Sequence, residues 1–255
     1  MALSDVLDRL RAMKEAGLLE RGTPEGTRMF LGNLIRRDFH PSTIYAMHAA
    51  NFPQKEGIIH FDRRLTWGQV NSRVNRLAHG LLSLGLKPGD RVAYMLKNSV
   101  EWVEALAACS KIGVAAVFVS FRYTAPEVEY LVTNSEAKAL IFGAEFEKVI
   151  KEAKQNLQIP DENYIIVGAN EGSGFRPYED LLSRGKDEEP ARELRKGGSR
   201  VIMYTSGTTG KPKGAVRDAS KAGIGTLVEL LRIVPFRRDD RHLVAAPLYH
   251  ATGSG

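Results

Sequence analysis

The sequence contains a single cysteine, Cys109, among its 255 residues. One cysteine cannot form an internal disulfide, and because Cys109 stands in an apolar helical pattern we interpret it as a core residue. No stretch approaches the ~18 consecutive apolar residues of a membrane span. The first residues also lack the charged-then-apolar pattern of a signal peptide. We therefore expect a cytoplasmic protein by default.

Other absences narrow the class of function. The 36 basic residues exceed the 30 acidic ones and give a net charge of +6, but they are spread along the chain, which favours an enzyme with anionic ligands over a nucleic-acid partner. Five histidines show no ligand spacing with carboxylates or cysteine: His40, His48, His60, His79 and His242. We therefore expect no zinc site. The sequence does not indicate a membrane contact or an oligomeric state.

From residue 41 onward, strand-like and helix-like segments alternate. The predicted strands are Arg91–Leu96, Val114–Val119, Ala139–Phe142, Tyr164–Val167, Arg200–Met203 and His242–Leu248, and Ile58–Phe61 with Arg64–Thr66 reads as a small hairpin. Repeated βα units imply a mainly parallel sheet covered by helices on both faces. The predicted fold class is therefore α/β.

Helix starts carry recognisable signals. Thr66 with Gln69 and Thr124 with Glu127 have the spacing of capping boxes. A stripe of apolar residues follows the first of them: Val70, Val74, Leu77, Ala78 and Leu81. Either Asn98 or Ser99 is expected to cap the next helix, and either Asp218 or Ser220 a helix over about 221–233.

Two regions are predicted to lie outside this alternation. The N-terminal residues 3–18 have helical spacing with Ser4 as a candidate N-cap, and residues 20–27 read as a linker because they contain Gly22, Pro24 and Gly26. The charged segment 185–198 is interpreted as a solvated loop.

The stretch Tyr204–Gly214, Tyr-Thr-Ser-Gly-Thr-Thr-Gly-Lys-Pro-Lys-Gly, combines five hydroxyl side chains, three glycines and two lysines. Glycines let backbone N–H groups approach a phosphate, hydroxyls donate short hydrogen bonds, and ammonium groups neutralise its charge. A solvated linker is the alternative, but strand-like residues flank the stretch on both sides. The composition therefore predicts phosphate binding.

The spacing differs from a Walker A loop, in which Gly-Lys is followed by Ser or Thr at the start of a helix. Here Pro212 follows Lys211, and Ala215-Val216 continues as a second strand. Ser206 also lacks the Gly-x-Ser-x-Gly context of a hydrolase nucleophile. We therefore predict a hairpin that folds over phosphates.

The stretch Tyr204–Gly214 resembles the signature loop of the adenylate-forming superfamily, which includes acyl-CoA synthetases (AMP-dependent synthetases and ligases), adenylation domains of peptide synthetases and luciferases. Further segments resemble other blocks of that family in the family's order: Leu65–Gln69, Asn75–Ala78, Leu86–Ala93, Gly113–Ser120, Ala137–Ile141 and Ala246–His250. The resemblance covers residues 41–255, and the order of the blocks makes it more specific than the loop alone.

The resemblance implies that ATP activates a carboxylic acid, here a fatty acid, to an acyl-adenylate, and that the thiol of CoA then displaces AMP. It assigns the β- and γ-phosphates of ATP to Thr205, Ser206, Gly207, Thr208, Thr209 and Gly210, with Lys211 and Lys213 as charge partners. For Lys211, a solvated surface lysine is an equally good interpretation. Any Mg²⁺ is expected to be held largely by the phosphates.

Tyr249 and His250 correspond to the aromatic-histidine pair that borders the acyl pocket in this family. Without the resemblance, His250 would be interpreted as a core histidine. Its implied role is positioning rather than general base catalysis, because a carboxylic acid is already ionised at neutral pH. For Phe118 and Phe121, core packing is a better interpretation than lining an acyl tunnel.

We expect residues 1–40 to form a helical extension and linker, and residues 41–255 to form the N-terminal part of an adenylation domain. The family's later blocks, which supply the adenine, ribose and catalytic-lysine sites, do not occur in this sequence. The chain alone is therefore expected to be inactive. The alternative is a non-catalytic module that binds nucleotide phosphates.

Overall fold

The computed structural model describes residues 8, 11–12, 14–16, 22–36, 40–168, 172–205, 212–221, 224–234, 237 and 239–250. The helices are α1 (Pro24–Arg36), α2 (Thr43–Asn51), α3 (Trp67–Ser83), α4 (Val100–Lys111), α5 (Ala125–Ser135), α6 (Glu147–Lys154), α7 (Tyr178–Ser183) and α8 (Ile224–Ile233). The strands are β1 (Glu56–His60), β2 (Arg63–Thr66), β3 (Arg91–Met95), β4 (Ala115–Phe118), β5 (Ala139–Gly143), β6 (Tyr164–Val167), β7 (Arg176–Pro177), β8 (Arg200–Thr205) and β9 (Lys213–Asp218). Within these residues, no helix has both the length and the apolar character that a transmembrane span requires.

The predicted linker at residues 20–27 is wrong from Pro24 onward, because α1 begins there. The Thr23 hydroxyl accepts a hydrogen bond from the Gly26 N–H at 3.0 Å and so caps the helix. Pro24 fits the first helical turn because the N–H that it lacks would have no partner within the helix. Residues 8, 11, 12, 14 and 15 are helical, as predicted, whereas Ser4 lies outside the described residues.

The main sheet has seven strands in the order β7-β6-β5-β3-β4-β8-β9. Its neighbouring strands are parallel from β7 across to β8, and β9 then runs antiparallel to β8. The predicted α/β fold with a mainly parallel sheet is confirmed. β1 and β2 form the predicted separate hairpin.

Helices cover both faces of this sheet. Since successive side chains of a strand point to opposite faces, each strand contributes to the core on either side. From β3, Val92 and Tyr94 pack into a core with α3, α4 and α7, whereas Ala93 and Met95 pack into a second core with α5 and α6. The five apolar residues predicted to form the stripe on α3 are all buried in the first core. Cys109 is buried there too, as predicted, and burial raises the pKa of its thiol to about 12.

The helix caps follow the sequence signals in most cases. Both capping boxes form, at Thr66 and at Thr124. Of the two candidate caps for α4, Ser99 accepts the Trp102 N–H at 3.2 Å. The predicted start of α8 at 221 is wrong by three residues, because the Asp218 carboxylate caps a 3₁₀ turn over Ala219–Lys221 instead.

The charged segment 185–198 is exposed over residues 186–189, as the sequence predicts for a solvated loop, but it is also bonded to α3 and α4. The buried Lys111 ammonium group donates to both carboxylate oxygens of Glu189 at 2.7 and 2.8 Å. The Arg76 guanidinium donates to both oxygens of Asp187 at 2.5 and 2.9 Å. These charges are paired with charges on two helices, although the Arg76 and Asp187 side chains remain 43% and 57% exposed.

Candidate functional site

The carboxyl ends of the parallel strands β3, β4, β5 and β8 meet at one edge of the sheet. The chain passes from β3 to β4 on one side and later adds β5 on the other side, so the strand order reverses around β3. Ligands of open α/β sheets bind outside the carboxyl ends at such a reversal. The segments that follow these strands are therefore the candidates for binding.

β8 and β9 form the predicted hairpin, with Thr205 opposite Lys213 at the end where the connecting segment 206–212 joins the two strands. Lys213 is exposed, and Thr205 is described in its backbone alone. The predicted phosphate-binding residues between them lie outside the described residues: Ser206, Gly207, Thr208, Thr209, Gly210 and Lys211. The described strands thus place both ends of the glycine-rich stretch at the carboxyl edge.

The sequence places the Tyr204 hydroxyl among the groups suited to bind phosphate, but in the structure this hydroxyl bonds to helix α5. It donates to the Asn134 side-chain oxygen on α5 at 2.8 Å. On the other leg of the hairpin, the Tyr130 hydroxyl of the same helix donates to the Pro212 carbonyl at 3.1 Å. Burial, with a smaller contribution from Tyr130, raises the pKa of Tyr204, so its hydroxyl stays a donor at neutral pH.

Gly214 allows the Tyr204 ring to lie across the hairpin. The two residues face each other in the strand register. A Cβ atom on Gly214 would lie 3.3 Å from the Tyr204 ring and 3.3 Å from Ile202. Because such a contact is tighter than ordinary packing, a side chain at position 214 would crowd the strand pair.

The predicted strand His242–Leu248 is wrong, because residues 241–245 have no regular structure and Pro247–His250 form a turn. The Asn98 side chain bonds two backbone groups of this segment. Its Nδ2 donates to the Ala246 carbonyl at 2.9 Å, and its Oδ1 accepts the Leu248 N–H at 2.8 Å. The Tyr249–His250 pair therefore follows a segment that is fixed to the end of β3 by one side chain.

The rings at this point form an aromatic group that the sequence indicates only in part. Tyr249 and His250 have ring centroids 4.3 Å apart, and the half-buried Tyr249 meets Phe121 edge-on at 5.2 Å. Phe121 also stacks on Phe146 at 6.5 Å. Core packing is the correct interpretation for Phe118, which is 3% exposed, and the half-buried Phe121 packs against the second core while its ring also meets Tyr249.

Charged side chains also reach this edge. The Lys97 ammonium nitrogen, after β3, lies 3.4 Å from a Glu145 oxygen and 5.8 Å from the Phe146 ring centroid. In the described part of the chain, no group of three or more His, Cys, Asp and Glu side chains is arranged to hold a metal ion. The described residues at this edge thus offer the cations Lys97 and Lys213 and an aromatic surface.

Comparisons with known proteins agree with these features. A family model described as AMP-binding enzyme matches residues 45–255. The chain is 33% identical over 203 residues to a feruloyl-CoA synthase of Amycolatopsis sp., which covers 80% of this chain and 38% of that protein. It is 35% identical over 189 residues to the long-chain-fatty-acid–CoA ligase FadD13 of Mycobacterium tuberculosis, which covers 74% of this chain and 36% of that protein.

A solved structure shows the same fold. The crystal structure of the anthranilate CoA ligase AuaEII in complex with anthranoyl-AMP superposes with a TM-score of 0.65 at 26% identity. The match covers 71% of this chain and 35% of that protein. The chain therefore spans a little over a third of the length of these three proteins.

Proposed function

This chain belongs to the family of AMP-binding enzymes, and on that premise we propose that it contributes to the ATP-dependent conversion of a carboxylic acid to an acyl-CoA. One observation carries the proposal. The hairpin ends at Thr205 and Lys213 leave the sheet beside β4, and the loop after β4 carries Phe121 against Tyr249. A polar, glycine-rich segment and an aromatic surface thus stand at neighbouring strand ends, as a phosphate group and an acyl group require.

In this proposal the glycine-rich hairpin holds the β- and γ-phosphates of ATP. Backbone N–H groups and hydroxyls of residues 205–210, with Lys211 and Lys213, stabilise the negative charge that develops on the leaving pyrophosphate. Mg²⁺, bound to the phosphates, adds further charge neutralisation. Tyr249 and His250 border the carboxylate and hold it in line with the α-phosphate.

The chemistry consists of two displacements. A carboxylate oxygen of the acid attacks the α-phosphorus of ATP and forms the acyl-adenylate, while the bond to pyrophosphate breaks. The sulfur of CoA then attacks the acyl carbon, loses its proton, and displaces AMP. His250 acts by positioning, because the attacking carboxylate needs no base.

We propose a fatty acid as the substrate class, within a cytoplasmic protein. Two observations support a fatty acid: the segment Leu-Tyr-His-Ala-Thr-Gly at 248–253 resembles fatty-acyl members of the family, and the chain is similar to FadD13. The similarity to a feruloyl-CoA synthase makes an aromatic acid the competing substrate class. We further propose that residues 1–40, including α1, form an extension and that residues 41–255 form part of the adenylation domain.

The test is ATP–pyrophosphate exchange with a panel of fatty and aromatic acids, measured on this chain and on the full product of its reading frame. Exchange with fatty acids supports the proposal, and exchange only with aromatic acids would reassign the substrate. Binding of MgATP without exchange by either protein would favour the non-catalytic module.

Lys213→Ala should reduce exchange by about 10-fold or more, since it removes a charge at the phosphate site. Lys87→Ala is the matched control, because Lys87 is an exposed lysine that precedes β3 at the opposite edge of the sheet. Equal effects of the two changes would show that Lys213 acts through net charge alone.

A further inference from the structure

Helix α5 contacts both legs of the glycine-rich hairpin through two residues one turn apart. Tyr130 donates to the Pro212 carbonyl directly before β9, and Asn134 accepts from Tyr204 near the end of β8. Residues i and i+4 of a helix lie on the same face. One helical face is thus hydrogen-bonded to both strands at the point where the glycine-rich stretch begins and ends.

The helix is a fixed platform for these bonds. Its opposite face buries Val128, Leu131 and Val132, each 2% exposed or less. Its first turn is held by the Glu127 carboxylate, which accepts the Thr124 N–H at 2.7 Å. The hairpin has far less support of its own, because β9 is the last strand of the sheet and its residues 213–217 are exposed.

The alternative is that Tyr130 and Asn134 serve a ligand of their own. They line a surface cavity of about 420 Å³ together with Pro126, Glu129, Thr133 and Asn156. This lining contains no cation, and Asn156 already donates to the Glu129 carboxylate at 3.0 Å. A phosphate would find no charge partner there, so the hydrogen bonds to the hairpin are the better account of the two side chains.

We propose that Tyr130 and Asn134 are positioning residues that hold the two strand ends of the hairpin at the spacing needed for nucleotide phosphates. This inference rests on the proposed function of the hairpin. Preorganised donors bind a developing charge without paying for reorganisation, so losing the two bonds should weaken ATP binding without touching the acid site.

The first measurement needs no nucleotide. Trypsin cleavage of the bond after Lys213 requires β9 to separate from β8, because Lys213 is paired with Thr205. The double variant Tyr130→Phe, Asn134→Leu should be cleaved there about 10-fold faster than wild type, each lost hydrogen bond contributing a factor of a few. Asn134→Asp keeps the acceptor oxygen and should be cleaved about as slowly as wild type. Asn156→Ala, which lies on the same cavity, should also leave the cleavage rate unchanged.

The second measurement is MgATP binding by calorimetry and, where exchange is measurable, the KM values for ATP and for the acid. The double variant should bind MgATP about 10-fold more weakly and raise the KM for ATP, with the KM for the acid unchanged. An unchanged affinity in a variant that is cleaved faster would overturn the positioning role, and an unchanged cleavage rate would overturn the contact itself. If neither this chain nor the full product of its reading frame binds MgATP, the proposed function fails, and the cleavage rates still decide whether α5 holds the hairpin.

Discussion

The side chain of Lys111 is fully buried and forms an ion pair with Glu189, which is 33% exposed. Removing the lysine leaves a partly buried carboxylate without its charge partner. We expect Lys111→Met to lower the free energy of unfolding by about 2 kcal/mol, less than for a fully buried pair because Glu189 still reaches water. Lys138→Met is the control, since it breaks a pair of the same length, 2.7 Å, whose lysine is 58% exposed. Urea denaturation showing equal losses for both variants would contradict this expectation.

The same lysine gives stability a dependence on pH. Burial lowers the pKa of Lys111 from 10.5 to about 8, against the opposing effect of Glu189. Between these values the unfolded chain binds more protons than the folded one, so the lysine's contribution to stability rises with pH from 8 to 10.5 and is lost as pH falls through 8. The measurement is the difference in unfolding free energy between wild type and Lys111→Met from pH 7 to 10. It should shift in favour of wild type above pH 8, and a flat difference would contradict the prediction.

Asn98 is expected to control the position of the Tyr249–His250 turn. Asn98→Ala removes two hydrogen bonds to the segment before it, so the Leu248 amide should exchange with solvent about 10-fold faster in hydrogen-exchange mass spectrometry. Asn98→Asp retains the acceptor for the Leu248 N–H and should keep most of the protection. Equal protection in wild type and Asn98→Ala would show that the turn is held by its aromatic contacts instead.

The parallel sheet was predictable from the sequence because each buried strand is a short apolar run between clear helix signals. The same criterion fails at 242–248, where the apolar run has no regular structure, Leu243 is 91% exposed, and two backbone groups bond to Asn98. Composition cannot distinguish an apolar run that pairs as a strand from one whose backbone is bonded by a distant side chain. Composition also gives no sign that Glu189 pairs with the buried Lys111, which is 78 positions away in the chain.

The sequence predicts which residues of the site suit phosphate, but it does not predict which residues of α5 hold the hairpin in place. The glycines, hydroxyls and lysines of Tyr204–Gly214 indicate phosphate binding from composition, and their strand flanks indicate a hairpin. The capping-box spacing of Thr124 and Glu127 predicts where α5 begins. It does not predict what the outer residues Tyr130 and Asn134 contact, because that depends on which strand the sheet places beside the helix.

Two glycines allow backbone segments to approach each other where the segment 185–198 meets the end of α4. A Cβ atom on Gly197 would lie 2.1 Å from the Gly113 carbonyl oxygen, so Gly197→Ala should cost more than about 2 kcal/mol of stability, because backbone must move. Gly89→Ala is the control: its φ of +92° is strained for alanine, but the space around it is open, and about 1 kcal/mol is expected. Chemical denaturation that ranks Gly89→Ala as the more damaging change would contradict the steric argument.

Phe61, at the tip of the β1–β2 hairpin, has a left-handed backbone with φ 52° although its side chain is 87% exposed. A bulky residue in this conformation is strained, and little burial compensates for the strain. Asparagine tolerates the left-handed region, so Phe61→Asn should raise the free energy of unfolding by about 0.5–1 kcal/mol. Phe61→Ala keeps the strained Cβ atom and should bring no gain, which separates backbone relief from the loss of an exposed ring. If instead both variants are less stable than wild type, the contact of the Phe61 ring with His60, at 4.6 Å between centroids, outweighs the strain.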